Sequence, residues 1–293
     1  MPGTMLLLVG EQPAPNLLPA RHLKPDAAVL VYSDLTERVT QNLKALLEPG
    51  IPCSLCRVAP YDLIAIQSAL QEVLRSHRDT TEWVFNLTGG NKLMALAALL
   101  VAQDQDHRFV YFQTEGNRSR LARYRCNRGD VTLEIVEDMP EVVSLDEYLR
   151  MYLGSYVAKE PRNSFEEEVA TTLRSAPGVN EVLTSLYPRD SGGLEVDFAV
   201  RCGNQVGIGE VKSKGAKEGI DQLAAVSAPR YLGTYVARFL VSGTQLDRNN
   251  RDLARAYRID VIELLSYGMN KTLSPEDRRM LQEAIVRRLT QRS

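Results

Sequence analysis

The chain has 293 residues, of which 44% are hydrophobic, 25% charged and 6% aromatic, and its 35 Lys and Arg against 37 Asp and Glu leave a formal net charge of −2. This ordinary composition excludes collagen-like, disordered and coiled-coil proteins, and the length predicts two domains that each bury a core. A near-neutral total argues against tight nucleic-acid binding through bulk positive charge but leaves room for a local basic groove.

The start of the chain and its cysteines predict a cytoplasmic protein. The run Met5–Val9 is too short for the apolar core of a signal peptide and has no basic segment before it. No stretch reaches the roughly 18 consecutive apolar residues of a membrane span, so no membrane association is expected. Cys53 and Cys56 form a CxxC pair, but no second pair stands at zinc-site spacing, and reduced thiols are the better interpretation.

The first half of the chain alternates apolar strands with amphipathic helices. Strands are predicted at Met5–Val9, Ala27–Tyr32, Ser54–Val58, Trp83–Leu87 and Phe109–Thr114, and helices at Thr36–Leu47, Tyr61–Arg75 and Lys92–Ala102. Strand–helix alternation at this spacing predicts an α/β fold with a parallel, doubly wound, Rossmann-like sheet. Two further strands, Leu121–Arg125 and Val131–Val136, are predicted to form a hairpin.

A glycine-containing turn joins the fourth strand to the helix after it, and it comprises Thr88, Gly89, Gly90, Asn91 and Lys92. The two glycines allow a tight turn and close approach to a ligand, and the helix N-terminus offers unpaired N–H groups. The pattern is neither a Walker A loop nor GxGxxG, so ATPase and dinucleotide-binding functions lose support. Because ligands bind at the carboxyl ends of parallel strands, we predict a binding site here, with a purely structural turn as the alternative.

Two other strand ends carry polar residues near this turn. The first strand exits into the segment GEQPAPN, residues 10–16, and the second ends at Ser33. Together with LTGGNK before an apolar helix, these segments resemble the CARF domain (CRISPR-associated Rossmann fold) over roughly residues 1–136. The resemblance implies a homodimer that shares a pocket for a cyclic oligoadenylate, most often cyclic tetra-adenylate. By position, it implies ligand contacts at Gln12, Asn16, Ser33, Thr88, Gly89, Gly90, Asn91 and Lys92.

Residues 137–163 depart from the strand–helix alternation of the first half and are predicted to be a short linker with one helix, Leu145–Leu153. A second α/β domain is predicted over residues 164–293, beginning with the acidic helix Phe165–Ser175. Its strands are predicted at Leu194–Val200, Val206–Lys212, Phe239–Ser242 and Ile259–Glu263, and its other helices at Ile220–Val226 and Arg251–Tyr257. The charge is uneven, since residues 1–150 sum to −4 and residues 151–293 to +2.

Acidic residues and a lysine share one face of the first strand pair in this domain. Strand alternation places Asp197 opposite the apolar positions of its strand, and puts Glu210 and Lys212 on one face of the next strand. An acid among apolar neighbours needs a partner or a metal, although a surface charge pair is the alternative for Glu210 and Lys212 alone. Asp197, Glu210 and the backbone carbonyl of Val211 would suit Mg²⁺ or Mn²⁺, which activates water against a phosphodiester. Lys212 could then orient or deprotonate that water.

The order of a helix Glu, a strand Asp and a Glu-x-Lys strand resembles the PD-(D/E)XK restriction-endonuclease-like superfamily over roughly residues 160–265. The resemblance implies that Glu166, Asp197, Glu210 and Lys212 are catalytic, with Glu167 as the register alternative for the helix acid. The proline before the aspartate is absent, which weakens the match only slightly. Gln222 stands where relatives place a further site residue, but the tyrosine four residues later is Val226 here.

Together the halves resemble the CARF-fused nucleases of type III CRISPR defence. The resemblance implies a metal-dependent, sequence-non-specific endonuclease that nicks DNA or cuts single-stranded RNA when a cyclic oligoadenylate binds. Candidates for contact with the nucleic acid are the basic helix from Arg278 to Arg292, with Lys214, Lys217, Arg230, Tyr231 and Tyr235. Two other functions stay open: a CARF sensor with a degenerate nuclease domain, and a constitutive DNA-repair nuclease.

Overall fold

The computed structural model describes residues 3–77, 80–115, 118–127, 129–189, 195–226, 232 and 236–290. The chain divides into two compact units, Met1–Val143 and Ser144–Ser293, so the division falls inside the range 137–163 that the sequence predicts as a linker. Among the described residues, no helix combines the length and the apolar character needed to cross a bilayer. All four cysteines are free thiols.

The first unit is a seven-stranded sheet in the order β3-β2-β1-β4-β5-β6-β7. Its strands are β1 (Thr4–Leu8), β2 (Ala27–Tyr32), β3 (Cys53–Arg57), β4 (Trp83–Asn86), β5 (Arg108–Glu115), β6 (Arg118–Asn127) and β7 (Asp130–Asp138), and its helices are α1 (Ala14–Leu23), α2 (Glu37–Leu47), α3 (Leu63–Ser76) and α4 (Lys92–Asp104). The first five strands are parallel and the last two form an antiparallel hairpin, which confirms the predicted doubly wound sheet.

Helices cover both faces of this sheet, which explains its apolar strands. Every residue of β1 is buried, as expected for a parallel strand packed on two sides. On one face, Ile66 of α3 and Ala97 of α4 pack into a core with Leu6 and Val29. The strand order reverses between β1 and β4, and such a reversal opens a crevice at the carboxyl ends of the two strands.

Helix α1 is absent from the sequence-based prediction, which places a loop over residues 10–16. Three prolines, Pro13, Pro15 and Pro19, favour an irregular segment there. Pro13 and Pro15 nevertheless lie at the start of the helix, where a missing backbone N–H costs nothing. The helix brings Asn16 into the interior of the unit.

The second unit is a six-stranded sheet in the order β13-β12-β11-β10-β9-β8. Its strands are β8 (Tyr156–Ala158), β9 (Glu181–Pro188), β10 (Val196–Cys202), β11 (Gln205–Lys212), β12 (Ala237–Ser242) and β13 (Asp260–Glu263), and its helices are α5 (Leu145–Leu153), α6 (Ser164–Arg174), α7 (Ala216–Val226), α8 (Arg248–Ala256), α9 (Leu265–Asn270) and α10 (Pro275–Thr290). Strands β10 and β11 are antiparallel, as predicted, and β11 to β13 are parallel. Helix α5 and strand β8 lie within the predicted linker range and belong to this unit.

Alternation along β10 and β11 separates the core from the acidic face. Phe198 and Val200 pack with Ile285 of α10 in the main core of the unit. The alternate residues of the two strands, which include Asp197 on β10 and Glu210 on β11, therefore point to the opposite face, where α7 packs. Gly219 of α7 comes so close to the sheet that a β-carbon there would stand 3.1 Å from Cγ of Lys212. This face holds the charged residues that the sequence singles out.

Candidate functional site

Three glycines at the carboxyl edge of the first sheet let the loops after β1 and β4 meet. A β-carbon on Gly89 would stand 1.9 Å from the carbonyl oxygen of Leu8, and Gly90 has a left-handed φ of +68°. A β-carbon on Gly10 would stand 3.1 Å from the backbone nitrogen of Gly90. Since only glycine fits so close an approach, the backbone itself forms the floor of the predicted crevice.

A buried amide pair supports this floor from below. The side chain of Asn16 donates to the carbonyl oxygen of Leu8 at 2.7 Å and accepts from the amide of Asn86 at 3.1 Å. Asn86 also accepts from the hydroxyl of Thr88 at 2.8 Å, and that hydroxyl accepts from the backbone of Phe112 at 2.7 Å. Asn16, a predicted ligand contact, is fully buried and lies beneath the loops. Sequence reasoning missed Asn86, although a polar residue ending an apolar strand was a usable signal.

The remaining residues of the glycine turn begin helix α4. Asn91 caps the helix, because its side-chain oxygen accepts from the backbone of Met94 at 2.9 Å. Its amide nitrogen donates to the carbonyl oxygen of Pro60 at 2.7 Å, which ties the turn to the loop after β3. Lys92 is exposed in the first turn of the helix, and Gln12 is half-buried in the loop after β1. A cation and a helix N-terminus thus lie together at this edge, which suits an anionic ligand.

Ser33 lies one strand further along the edge, where it lines a cavity of about 680 Å³. The other lining residues come from the ends of β2 and β3: Asp34, Leu35, Arg57, Val58, Ala59 and Pro60. Arg57 holds Asp34 through two contacts of 2.5 and 2.6 Å. The cavity has a volume typical of small-molecule pockets, and Pro60 connects its wall to the glycine turn.

In the second unit, the structure brings Asp197, Glu210 and Lys212 together on β10 and β11. The ammonium of Lys212 lies 2.8 Å from Oε2 of Glu210 and 3.9 Å from Oδ2 of Asp197. That Oδ2 atom accepts from the backbone N–H of Val211 at 2.7 Å. Asp197 and Glu210 are 2% and 1% exposed, so they form a buried carboxylate pair beside a single lysine. The alternative of a surface charge pair does not fit this burial.

Burial shifts the titration of this cluster. Burial, and then the negative charge of Asp197, raise the pKa of Glu210 to about 8, although Lys212 acts in the opposite direction. Burial tends to lower the pKa of Lys212, but Glu210 and Asp197 outweigh it, and the net shift is upward. Oε1 of Glu210 is buried and has no hydrogen-bond donor among the described residues. One oxygen of the pair is therefore left without a donor, although each carboxylate has a cationic neighbour.

Glu166 reaches the same cluster from the start of α6. Its carboxylate accepts from the side chain of Asn163 at 2.6 Å and from the backbone of Arg162 at 2.8 Å. Asn163 is also the helix cap, accepting from two backbone N–H groups. Burial raises the pKa of Glu166. Glu167, the register alternative, is exposed, so Glu166 is the helix acid that the fold buries.

Arg162 connects three of the acids, and sequence reasoning missed it because it lies in the predicted linker. Its guanidinium donates to Oδ1 of Asp197 and to Oε2 of Glu195, each at 2.7 Å, and lies 3.6 Å from Oε1 of Glu166. Glu195 lies two residues before Asp197, on the same face of the sheet by strand alternation. That alternation was the sequence signal that could have identified Glu195 as a member of the acid cluster. With Glu210, the cluster holds four acids against two cations, a formal excess of two negative charges when all are ionised.

This charge excess suits a divalent cation. Among the described residues, no three His, Cys, Asp or Glu side chains converge on one point in the way a metal needs. The metal site at Asp197, Glu210 and the backbone carbonyl of Val211 therefore stays a prediction from the sequence. The buried Oε1 of Glu210, without a hydrogen-bond donor among the described residues, fits an oxygen that is available to a cation.

The candidates for nucleic-acid contact are differently placed. In α10, Arg278 pairs with Glu168, and Arg288 pairs with Asp260 at 2.9 Å, so both meet carboxylates. Lys217 pairs with Asp221 at 3.2 Å. Lys214 is exposed, whereas Arg230, Tyr231, Tyr235 and Arg292 lie outside the described residues.

Sequence reasoning missed a second basic face on α8, although arginines spaced three and four residues apart were its signal. Three arginines of this helix line a pocket of about 340 Å³ with Gln245, Leu246 and Asp252: Arg248, Arg251 and Arg255. On α7, Oε1 of Gln222 is buried without a hydrogen-bond partner among the described residues, and the side chain of Val226 lies outside them.

Comparison with known proteins places the first unit in context. Residues 4–148 match the family model described as the Card1 CARF domain. No curated protein matches the chain in sequence. The chain is similar to solved structures over both units, which confirms the predicted α/β class and the CARF-like fold.

Three solved structures illustrate this similarity. Can2 from Sulfobacillus thermosulfidooxidans, in complex with cyclic tetra-adenylate, has a TM-score of 0.75 at 15% identity, covering 99% of this chain and 100% of that one. Protein VC1899 from Vibrio cholerae has a TM-score of 0.73 at 12% identity, covering 97% of each chain. A type III CRISPR defence DNA nuclease activated by cyclic oligoadenylate has a TM-score of 0.57 at 16% identity, covering 90% of this chain and 42% of that one.

Proposed function

We propose that this chain, whose residues 4–148 match the Card1 CARF domain model, is a metal-dependent nuclease of type III CRISPR defence that a cyclic oligoadenylate switches on. Its first unit would sense the ring, and its second unit would cut nucleic acid in the manner of the PD-(D/E)XK superfamily, in the cytoplasm. The observation that carries the proposal is the buried side-by-side placement of Asp197, Glu210 and Lys212 on β10 and β11.

The edge of the first sheet offers what a ring of phosphates needs. The N–H groups at the start of α4 and the exposed Lys92 supply positive potential, and the cavity beside Ser33 supplies room for a base. We assign the ligand contacts to Gln12, Ser33, Thr88, Gly89, Gly90, Asn91 and Lys92, with Asn16 holding the loops from beneath. Can2, a protein of the same fold, was solved with cyclic tetra-adenylate, which supports that ring as the activator.

A homodimer would complete the sensor. Helix α4 is apolar nearly all round, yet its Leu96 and Leu100 are 43% and 38% exposed. An apolar face on a monomer indicates a partner surface, and a ring with rotational symmetry suits a two-fold axis. Ring binding would then favour the arrangement of the dimer in which nucleic acid reaches the nuclease units.

In the nuclease unit, Asp197, Glu210 and the Val211 carbonyl would hold Mg²⁺ or Mn²⁺. Such a cation activates water and neutralises charge on a phosphodiester. Because its pKa is raised, Lys212 stays an ammonium and stabilises the developing negative charge rather than taking a proton. Glu166, anchored by Asn163, would orient the water from the helix side.

Contacts to phosphate rather than to bases would make cleavage sequence-non-specific. Among the described residues, Arg248 and Arg255 of α8, which both contact Asp252, and the exposed Lys214 and Arg287 offer positive charge for such contacts. The substrate would be DNA, which is nicked, or single-stranded RNA.

A cleavage panel tests this function. Supercoiled plasmid and single-stranded RNA are incubated with the purified chain and Mg²⁺ or Mn²⁺, each with cyclic tri-, tetra- and hexa-adenylate. We expect cyclic tetra-adenylate to stimulate cleavage and Asp197→Asn to abolish it. Ring binding without cleavage of either substrate would instead indicate a sensor with a degenerate nuclease unit. Equal cleavage with and without rings would indicate a constitutive nuclease.

A further inference from the structure

We infer that Arg162 is a built-in counter-ion of the carboxylate cluster, and that it competes with the divalent cation for Asp197. This inference rests on the proposed metal site in the second unit. It assigns a function to a residue that neither sequence motif includes. The contacts, the exposure and the charges of the cluster each support it.

The two oxygens of Asp197 are held in different ways. Oδ2 accepts from the backbone N–H of Val211, which the strand fixes in place. Oδ1 accepts from the guanidinium of Arg162 at 2.7 Å, a side-chain contact that can break. A cation held by Asp197 and Glu210 would approach the carboxylate that the guanidinium contacts, and the side-chain contact at Oδ1 would exchange more readily than the backbone contact at Oδ2.

Solvent exposure indicates that the guanidinium of Arg162 is the group of the cluster that can move away from Asp197. Its side chain is 45% exposed, whereas Glu166, Asp197 and Glu210 are at most 4% exposed. A cation arriving from solvent therefore meets the guanidinium before the buried carboxylates. Glu195, 21% exposed, would remain as an alternative partner for the displaced arginine, since NH1 already donates to it.

Charge gives the reason for such a counter-ion. Without metal, the cationic side chains that contact the four acids are, among the described residues, Arg162 and Lys212. A further unneutralised acid in this setting would carry a large desolvation cost. Arg162 thus stabilises the metal-free protein, and metal binding must displace part of that interaction.

Substitution of Arg162 leaves the local backbone contact intact. The hydrogen bond to Glu166 comes from the backbone nitrogen of residue 162, which Gln or Lys also supplies. Arg251 provides a matched control in the same unit. It is 42% exposed and contacts both oxygens of Glu263 at 2.9 and 3.1 Å.

Binding of Mn²⁺ to the chelator-treated full-length chain tests the inference, measured by calorimetry and by the EPR signal of free Mn²⁺. The relevant Mn²⁺ site is the one that Asp197→Asn abolishes. We expect Arg162→Gln to increase the affinity of that site for Mn²⁺ by about three- to tenfold, which corresponds to the loss of a partly exposed ion pair. Arg251→Gln should change that affinity by less than about twofold. Arg162→Lys, which can contact only one carboxylate at a time, should fall between wild type and Arg162→Gln.

Three results would overturn the inference. Equal or lower affinity of Arg162→Gln would show that the arginine positions Asp197 rather than competing for it. An equal gain in Arg251→Gln would show a general charge effect. If no protein binds Mn²⁺ in an Asp197-dependent way, the metal site of the proposed function fails together with this inference. Circular dichroism checks folding, and if Arg162→Gln unfolds, Arg162→Lys carries the comparison, with an unchanged affinity refuting the competition.

Discussion

Replacing Glu210 with Gln should remove a pH dependence from the stability of the metal-free protein. Glu210 is 1% exposed and its pKa is raised from 4.5 to about 8, first by burial and then by the charge of Asp197. Above pH 4.5 the unfolded chain ionises this carboxyl, whereas the folded chain keeps it protonated. The contribution of Glu210 to the free energy of unfolding is therefore fully present below pH 4.5 and is lost as the pH rises toward 8.

The size of the effect follows from the two pKa values. Each pH unit in this window removes about 1.4 kcal/mol, so the loss reaches roughly 3 kcal/mol at pH 7. For a unit of this size, 1 kcal/mol shifts Tm by about 2–4 °C, which makes the loss about 6–12 °C. Gln cannot ionise, so it avoids this loss, while its altered hydrogen bond with Lys212 adds only an offset that changes little with pH.

Scanning calorimetry in chelator from pH 5 to pH 8 measures the difference in Tm between Glu210→Gln and wild type. The Tm of the variant should increase relative to the Tm of wild type as the pH rises. Added Mn²⁺ should raise the Tm of wild type but not that of the variant. Glu167→Gln replaces an exposed acid on α6 and should follow the wild-type profile. A Tm difference that stays constant across this range would refute the reasoning, because Glu210 would then titrate as an ordinary surface acid.

Three further outcomes test other parts of the structure. Gly89→Ala would place a β-carbon 1.9 Å from the Leu8 carbonyl oxygen and should cost at least about 2 kcal/mol in urea denaturation, whereas Gly50→Ala, with open space around it, should cost less than about 0.5 kcal/mol. Asn163→Ala removes the α6 cap and the amide on the helix acid, and the same measurement should show a loss of about 1–2 kcal/mol, with an unchanged midpoint contradicting the role of the cap. Lys92→Ala should weaken cyclic tetra-adenylate binding about tenfold in calorimetry, the worth of one charge-assisted phosphate contact, and an unchanged affinity would remove Lys92 from the ring site.

Local pattern was sufficient to predict most of both sheets. The strands of the first unit are short apolar runs followed by turn residues, so β1, β2 and β4 could be located within a residue or two. Alternation along β10 and β11 placed Asp197, Glu210 and Lys212 on one face, where the structure has them. These features depend on near neighbours in sequence, and the sequence displays them directly.

The missed features depend on tertiary contacts. Strand β9 buries Thr184 and Ser185, whose hydroxyls donate to the backbone of residues 159 and 160, and such polar positions do not resemble a buried strand. Arg162 belongs to the acid cluster only because the fold brings Glu195 and Asp197 beside the start of α6. Asn16 is drawn inside because α1 forms despite its prolines.

The central claim is that ring binding switches on a nuclease whose site is the Asp197 cluster. Its most direct test is the rate of plasmid nicking in Mn²⁺, measured with and without cyclic tetra-adenylate for wild type and Asp197→Asn. The proposed function predicts a ratio of at least about tenfold for wild type and no nicking by Asp197→Asn under either condition, since metal-site chemistry supplies the rate. Ring-stimulated nicking that survives in Asp197→Asn, or an equal wild-type rate with and without the ring, would contradict it.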